Sequence, residues 1–248
     1  MRALSLSELQ APLEARLVGA DRQITGVCTD SRRLRPGELF VALRGERFDG
    51  HDYLAQVCDA GAAAALVSEQ VQVGMPLLLA ADTERALGRL GQFNRALFAG
   101  TLVAITGSSG KTTVKNLVRA VLSRSGETLA TEGNFNNEIG VPLTLLRLAQ
   151  GTEFAVVEMG AAAAGDIRWL CELGRPRVAV LLNAMAAHLE GFGSVDDVAA
   201  AKGEIFDGLV AGDTAVINAD QPWAAAWRDR CGEATVLDFA LDSGAAVT

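Results

Sequence analysis

Four short, almost wholly apolar runs recur through the second half of this chain: Leu102–Thr106, Phe154–Glu158, Val178–Leu182 and Ala215–Ile217. A strand with one face in water alternates apolar and polar residues, so runs without alternation belong to strands covered on both faces. Between the first two lies a helical stripe, Val114, Leu117, Val118, Val121 and Leu122, ended by Gly126. Strand, loop and helix repeated in this way predict an α/β fold with a doubly wound parallel sheet. Such a sheet binds ligands beyond the carboxyl ends of its strands. The residues that follow the strands here are 107–113, Glu158, Asn183 with His188, and Asn218 with Asp220.

The first eighty or so residues read differently. Ile24–Thr29, Glu38–Leu43, Ala64–Val67 and Leu77–Ala80 are strand candidates, separated by the turns Arg35-Pro36-Gly37 and Phe48-Asp49-Gly50. His51–Ala60 is a helix candidate between the second and third. Together they predict a small α/β module over residues 1–81. The composition changes at Ala80–Thr83, where Asp82 or Thr83 caps a helix carrying Leu87, Leu90, Leu97 and Phe98. The expected boundary lies there, leaving residues 82–248 to the second domain.

Charge narrows the ligands. Lys and Arg number 22 against 30 Asp and Glu, a formal net charge of −8, and no stretch gathers five or more basic residues. A nucleic-acid groove and an anionic membrane surface are therefore not expected. A phosphorylated ligand stays open, because a phosphate site needs only local donors. The uncharged run Val178–Ala187 contains Asn183 and is too short to span a bilayer. Cys28, Cys58, Cys171 and Cys231 form no CxxC pair and read as reduced thiols, so a cytoplasmic protein is expected.

Thr106-Gly107-Ser108-Ser109-Gly110-Lys111-Thr112-Thr113 joins the first apolar strand to the marked helix. Glycines let backbone N–H groups converge on phosphate oxygens, and the helix N-terminus adds partial positive charge. Lys111 is placed to reach the β- and γ-phosphates and the Thr112 hydroxyl to ligate Mg²⁺. The spacing G-x-x-G-K-T is shorter than the general phosphate-loop pattern.

Glu158 closes its strand where nucleotide hydrolases place a carboxylate for Mg²⁺. His188 is one of two histidines and lies on the same rim, where it fits either a structural hydrogen bond or a ligand. Lys202 shares a helix face with Val195, Val198, Ile205 and Leu209, following a capping-box-like Ser194-Val-Asp-Asp. A lysine in an apolar stripe either snorkels to water or does chemistry. Only three of the 22 basic residues are lysines (Lys111, Lys115 and Lys202), so arginine is the default cation here. An amine can lose its proton and react covalently, which a guanidinium cannot.

These motifs resemble the Mur ligase family, ATP-dependent amide-forming enzymes of peptidoglycan synthesis. The T-G-S-S-G-K-T-T loop is similar to the family's own phosphate loop. Gly133-Asn134-Phe135-Asn136-Asn137-Glu138-Ile139-Gly140, Glu158-Met159-Gly160, His188 and Ala201-Lys202-Gly203-Glu204-Ile205 resemble its later blocks. Asn218-Ala219-Asp220 is similar to the segment that approaches adenine. The N-terminal block from Thr29-Asp30-Ser31-Arg32 to Phe48-Asp49-Gly50-His51-Asp52-Tyr53, with the double asparagine and Glu-Met-Gly, resembles the dipeptide-adding member.

The resemblance implies substrates UDP-N-acetylmuramoyl tripeptide and D-alanyl-D-alanine, with ATP and two Mg²⁺ ions. It implies a P-loop-type central domain in which Gly107, Ser108, Ser109, Gly110, Lys111, Thr112, Thr113 and Asn218 bind ATP. Thr112 and Glu158 hold one Mg²⁺, while His188 and a CO₂-carbamylated Lys202 hold the second; Lys111, Lys202 and His188 are the catalytic set. Ser31, Arg32, Asp49 and His51 are implied near the UDP end of the substrate, though turn chemistry accounts for them equally. Asn134, Asn136 and Asn137 either grip the substrate or cap the helix entered at Pro142.

A monomer is expected. The family's third, C-terminal Rossmann-like domain has no counterpart in this sequence and the central domain is expected to be incomplete, so weak or no ligation is expected of these 248 residues alone. The rival readings are a sister or folylpolyglutamate-type ligase and a non-catalytic nucleotide-binding module.

Overall fold

A computed structural model describes residues 1–186 and 192–242 and divides the chain between Leu97 and Phe98. In the first unit, helix α1 (Leu6–Leu13) opens on a capping box: Ser5 accepts from the Glu8 amide and Glu8 from the Ser5 amide. Its main sheet is built of β1 (Arg16–Val18), β2 (Gly26–Cys28), β3 (Glu38–Val41), β4 (Ala64–Val67) and β5 (Leu77–Leu79). They pair in the order β1-β5-β4-β3-β2, with β1 antiparallel to β5 and the rest parallel. Phe40, Ala42, Ala65, Val67 and Leu77 pack with Leu54 and Val57 of α2 (Leu54–Asp59). The intervening Leu39, Val41, Leu66 and Leu78 are buried too, so both faces are covered.

Helix α3 (Thr83–Ala96) corrects the expected boundary at residues 81/82. Asp82 does cap it, accepting from the amides of Glu84 and Arg85. The helix nevertheless belongs to the first unit. Thr83 donates its hydroxyl to the Ala42 carbonyl at 2.8 Å, Leu87 and Leu90 are fully buried, and Arg89 pairs with Glu14. A change in composition marks where a helix starts; the packing of its apolar side decides which unit owns it.

The second unit holds β6 (Thr101–Thr106), β7 (Thr128–Ala130), β8 (Phe154–Glu158), β9 (Val178–Leu181), β10 (Thr214–Asn218) and β11 (Thr235–Phe239). All are parallel, in the order β7-β8-β6-β9-β10-β11. Val103, Ile105, Val156, Val180 and Leu182 meet Val114, Val118 and Leu122 of α4 (Lys111–Leu122) on one face. Leu102, Ala104, Val157, Leu181 and Ile217 turn to the other. There they share a core with Val141 of α5 (Gly140–Leu145), Ile167 of α6 (Asp166–Gly174) and Val198 of α7 (Val195–Gly203). Burial on both faces is the physical reason these runs lack alternation.

One expectation fails inside α4. Leu117 and Val121 of the predicted stripe are 62% and 66% exposed, whereas Lys115 is buried. The buried side of the helix is rotated away from Leu117 toward Lys115. No helix among the described residues is long and apolar enough to cross a membrane.

Candidate functional site

Because β6 is flanked by β8 on one side and β9 on the other, the chain reverses direction across the sheet at its carboxyl end. A crevice opens at such a switch point. The glycine loop sits in it. Thr106 ends β6 and donates its hydroxyl to the Met159 carbonyl at 2.8 Å. Gly110 takes φ +80° directly before α4, a conformation that leaves the loop free to turn into the helix. The Lys111 ammonium folds back on the Gly107 carbonyl at 2.8 Å. From the β9 side, Asn183 accepts the Ser109 amide on Oδ1 at 3.0 Å and the Ser108 amide on its carbonyl at 3.1 Å.

Glu158, the last residue of β8, is 1% exposed. Its Oε2 accepts the Thr112 hydroxyl at 3.0 Å and its Oε1 accepts Asn136 Nδ2 at 2.8 Å. The Lys115 ammonium stands 3.9 Å from Oε2 and donates to the Thr131 carbonyl at 2.9 Å. Thr131 in turn accepts the Glu158 amide on its hydroxyl at 3.0 Å. A hydroxyl beside a carboxylate is the hard oxygen donor set that Mg²⁺ takes. No group of three or more His, Cys, Asp or Glu among the described residues is placed to hold a metal. An ion held at Thr112 and Glu158 would thus draw its remaining ligands from phosphate and water.

Lys202 comes to the same rim from the opposite direction. Ser194 caps α7, its hydroxyl accepting the Asp197 amide at 3.1 Å. Val198, Lys202, Ile205 and Leu209 are buried, and Lys202 is 3% exposed. A cavity of about 290 Å³ brings Lys202 together with Gly107, Ser108 and Lys111 of the loop and with Asn134, Asn136 and Asn137. Burial, with the neighbouring Lys111 adding to it, pushes the Lys202 amine down to about 8.

Asn137 lines that same cavity and also accepts the Gly140 amide, at the start of α5, on Oδ1 at 2.9 Å. Other candidates are placed differently. Asn136 orients Glu158, a role its sequence position did not suggest. Asn218 lies two strands from β6 and donates to the Leu182 carbonyl at 2.8 Å, tying β10 to the end of β9. Thr113 lies in the first turn of α4 and is exposed. His188 lies outside the described residues. In the sequence, Lys115 is marked only by its rarity as a lysine.

In the first unit, Ser31 and Arg32 line a cavity of about 390 Å³ with Asp30, Phe40, Phe48 and Tyr53. Asp30 holds Arg32 through two side-chain bonds of 2.9 and 2.8 Å, and those bonds pull its carboxyl down to about 2. Asp49 and His51 do not line that cavity and follow the turn reading. Asp49 accepts the His51 amide at 2.9 Å and Arg44 Nε at 2.8 Å, and these bonds hold its carboxyl well below the usual carboxylate range. His51 accepts the Ser68 amide on Nε2 at 3.0 Å, which leaves Nδ1–H to donate to Asp49. Both ring nitrogens are thereby engaged.

Comparison with known proteins follows the same division. The family described as Mur ligase middle domain matches residues 105–248, and the one described as Mur ligase family, catalytic domain, matches residues 23–90. The UDP-N-acetylmuramoyl-tripeptide–D-alanyl-D-alanine ligase of Escherichia coli (strain K12) is 48% identical over 239 residues, covering 96% of this chain and 53% of that protein. A crystal structure of MurF from Acinetobacter baumannii is similar at a TM-score of 0.92 and 35% identity, covering 96% of this chain and 54% of that one. The MurF ligase of Thermotoga maritima, solved in complex with ADP, is similar at a TM-score of 0.81 and 35% identity over 88% of this chain and 50% of that one. The chain spans about half the length of the curated relatives it matches.

Proposed function

The chain belongs to the Mur ligase family, and from that premise we propose that it carries the UDP-substrate-binding and ATP-binding parts of a cytoplasmic, monomeric ligase. The reaction joins D-alanyl-D-alanine to a UDP-N-acetylmuramoyl tripeptide, as the name of its 48%-identical relative says of that protein. One observation supports this reading above the others. The glycine loop, Lys111 and the buried Lys202 amine share one cavity beside the Thr112–Glu158 pair.

The chemistry follows from what these groups can do. The loop amides and the N-terminus of α4 bind the triphosphate, and Lys111 exchanges the Gly107 carbonyl for phosphate oxygens. A terminal carboxylate oxygen of the tripeptide attacks the γ-phosphorus, ADP leaves, and an acyl phosphate forms. The dipeptide amine then attacks the carbonyl carbon, phosphate leaves, and the nitrogen gives up a proton. Magnesium, when bound, supplies charge neutralisation for bringing two anions together. Thr112 and Glu158 would hold one ion, and Asn136 donates to the other carboxylate oxygen of Glu158.

His188 and Lys202 would serve a second ion. The neutral Lys202 amine would attack CO₂, a C–N bond forming as one C=O π pair moves onto oxygen and one proton leaves the nitrogen, so that a potential cation becomes an anionic group able to hold that ion. In the first unit, the cavity at Ser31 and Arg32 receives the UDP end, and Asn134 helps hold the peptide at the loop.

The test is an ADP-release assay of the full-length protein that carries these residues, with UDP-N-acetylmuramoyl tripeptide, with and without D-alanyl-D-alanine. Dipeptide-dependent turnover supports the proposal. Nucleotide binding without amine-dependent turnover identifies a non-catalytic nucleotide module instead.

A further inference from the structure

Lys115 has no part in the reaction described above, yet it is as thoroughly buried as Lys202, at 4% against 3% exposure. Its place in a closed ring of contacts gives it a definite task. The ammonium donates to the Thr131 carbonyl, the Thr131 hydroxyl accepts the Glu158 amide, and the Glu158 carboxylate faces the ammonium at 3.9 Å. Among the described residues, the remaining groups bonded to that carboxylate are the Thr112 hydroxyl and the Asn136 amide, both neutral. Lys115 is therefore the charge that balances Glu158.

A buried carboxylate with only neutral donors would attract any divalent cation in solution. With an ammonium already beside it, a lone divalent ion approaching Oε2 meets a positive neighbour in a weakly screened setting, where charges at such distances interact strongly. Nucleotide phosphates reverse the balance by adding negative charge on the loop side.

Resting on the assignment of Thr112 and Glu158 to a metal ion, we propose that Lys115 is a positioning residue that couples metal entry to nucleotide. It clamps Glu158 against Thr131 and opposes a divalent cation at Glu158 until phosphates arrive. The ion then enters with the nucleotide instead of ahead of it.

The experiment titrates Mn²⁺ by electron paramagnetic resonance into the protein, with and without saturating ADP, for the parent, Lys115→Met and Lys115→Arg. The parent is expected to bind Mn²⁺ about tenfold or more tightly with ADP than without it. Lys115→Met should tighten binding of Mn²⁺ alone by about tenfold and shrink the ADP effect, whereas Lys115→Arg keeps the parental ratio. A merely structural role would weaken both affinities together and leave their ratio unchanged. That result overturns the proposal. Equal Mn²⁺ affinity with and without ADP in the parent also overturns it, whether or not Lys115→Met folds. No Mn²⁺ binding even with ADP overturns the metal assignment and this inference together; binding that is indifferent to Lys115 overturns the inference alone.

Discussion

Lys202 holds an amine where a cation is unwelcome. In the sequence it sat in an apolar stripe, and either snorkelling or chemistry explained it. At 3% exposure the side chain is largely withdrawn from water, and it lines the cavity beside the glycine loop. With the amine pushed down to about 8, about a fifth is neutral near pH 7.4, against about one in a thousand for an ordinary lysine. Incubation with ¹³C-bicarbonate should therefore give a protein-bound carbamate resonance that Lys202→Arg lacks while still folding. A resonance that persists in Lys202→Arg, or none in the parent, contradicts the assigned role.

The same group makes a stability prediction free of carbon dioxide. Its folded value lies below the ordinary lysine value of 10.5, so between about 8 and 10.5 the unfolded chain binds more protons. Stability from this group rises with pH across that window. Lys202→Met should abolish the rise, measured by urea unfolding at pH 7.5 and at about pH 9.5. At this scale the loop, Glu158 and Lys202 were legible because each stands at a strand end or breaks a pattern. Lys115 and Asn136 were not, because their partners depend on which side of α4 is buried and on how a loop closes onto Glu158.

At the scale of elements, the long apolar strands announced themselves and the short or mixed ones did not. Thr128–Ala130 is only three residues, and Asp238 interrupts the apolar run of Thr235–Phe239. The helix over Asp166–Gly174 carries Arg168 and Glu172 among its apolar positions, which blurs its stripe. The turn into α4 makes the sharpest prediction here. A Cβ on Gly110 would meet nothing nearer than Leu182 Cδ1 at 3.7 Å, so the obstacle to a side chain is the φ of +80° itself. Gly110→Ala should cost about 1–2 kcal/mol of stability and reorient the loop amides. Calorimetry should show ADP affinity falling by about tenfold. Unaltered stability and affinity would mean that the backbone at Gly110 does not shape the phosphate site.

Across the whole molecule, one unit carries a cavity at Ser31 and Arg32 and the other a cavity at the carboxyl rim of a parallel sheet. The sequence pattern revealed both units and misplaced their border by one helix, since the ownership of α3 is settled by Thr83, Leu87 and Leu90 rather than by its cap. The reaction proposed for the protein stands on one chemical event, the transfer of a γ-phosphoryl group to the substrate's own carboxylate. An oxygen tracer reads that event directly. With ¹⁸O in the terminal carboxylate of the UDP-N-acetylmuramoyl tripeptide and D-alanyl-D-alanine present, each released phosphate should carry one labelled oxygen. Unlabelled phosphate would mean that water took the phosphoryl group, and that this rim hydrolyses ATP without activating an acid.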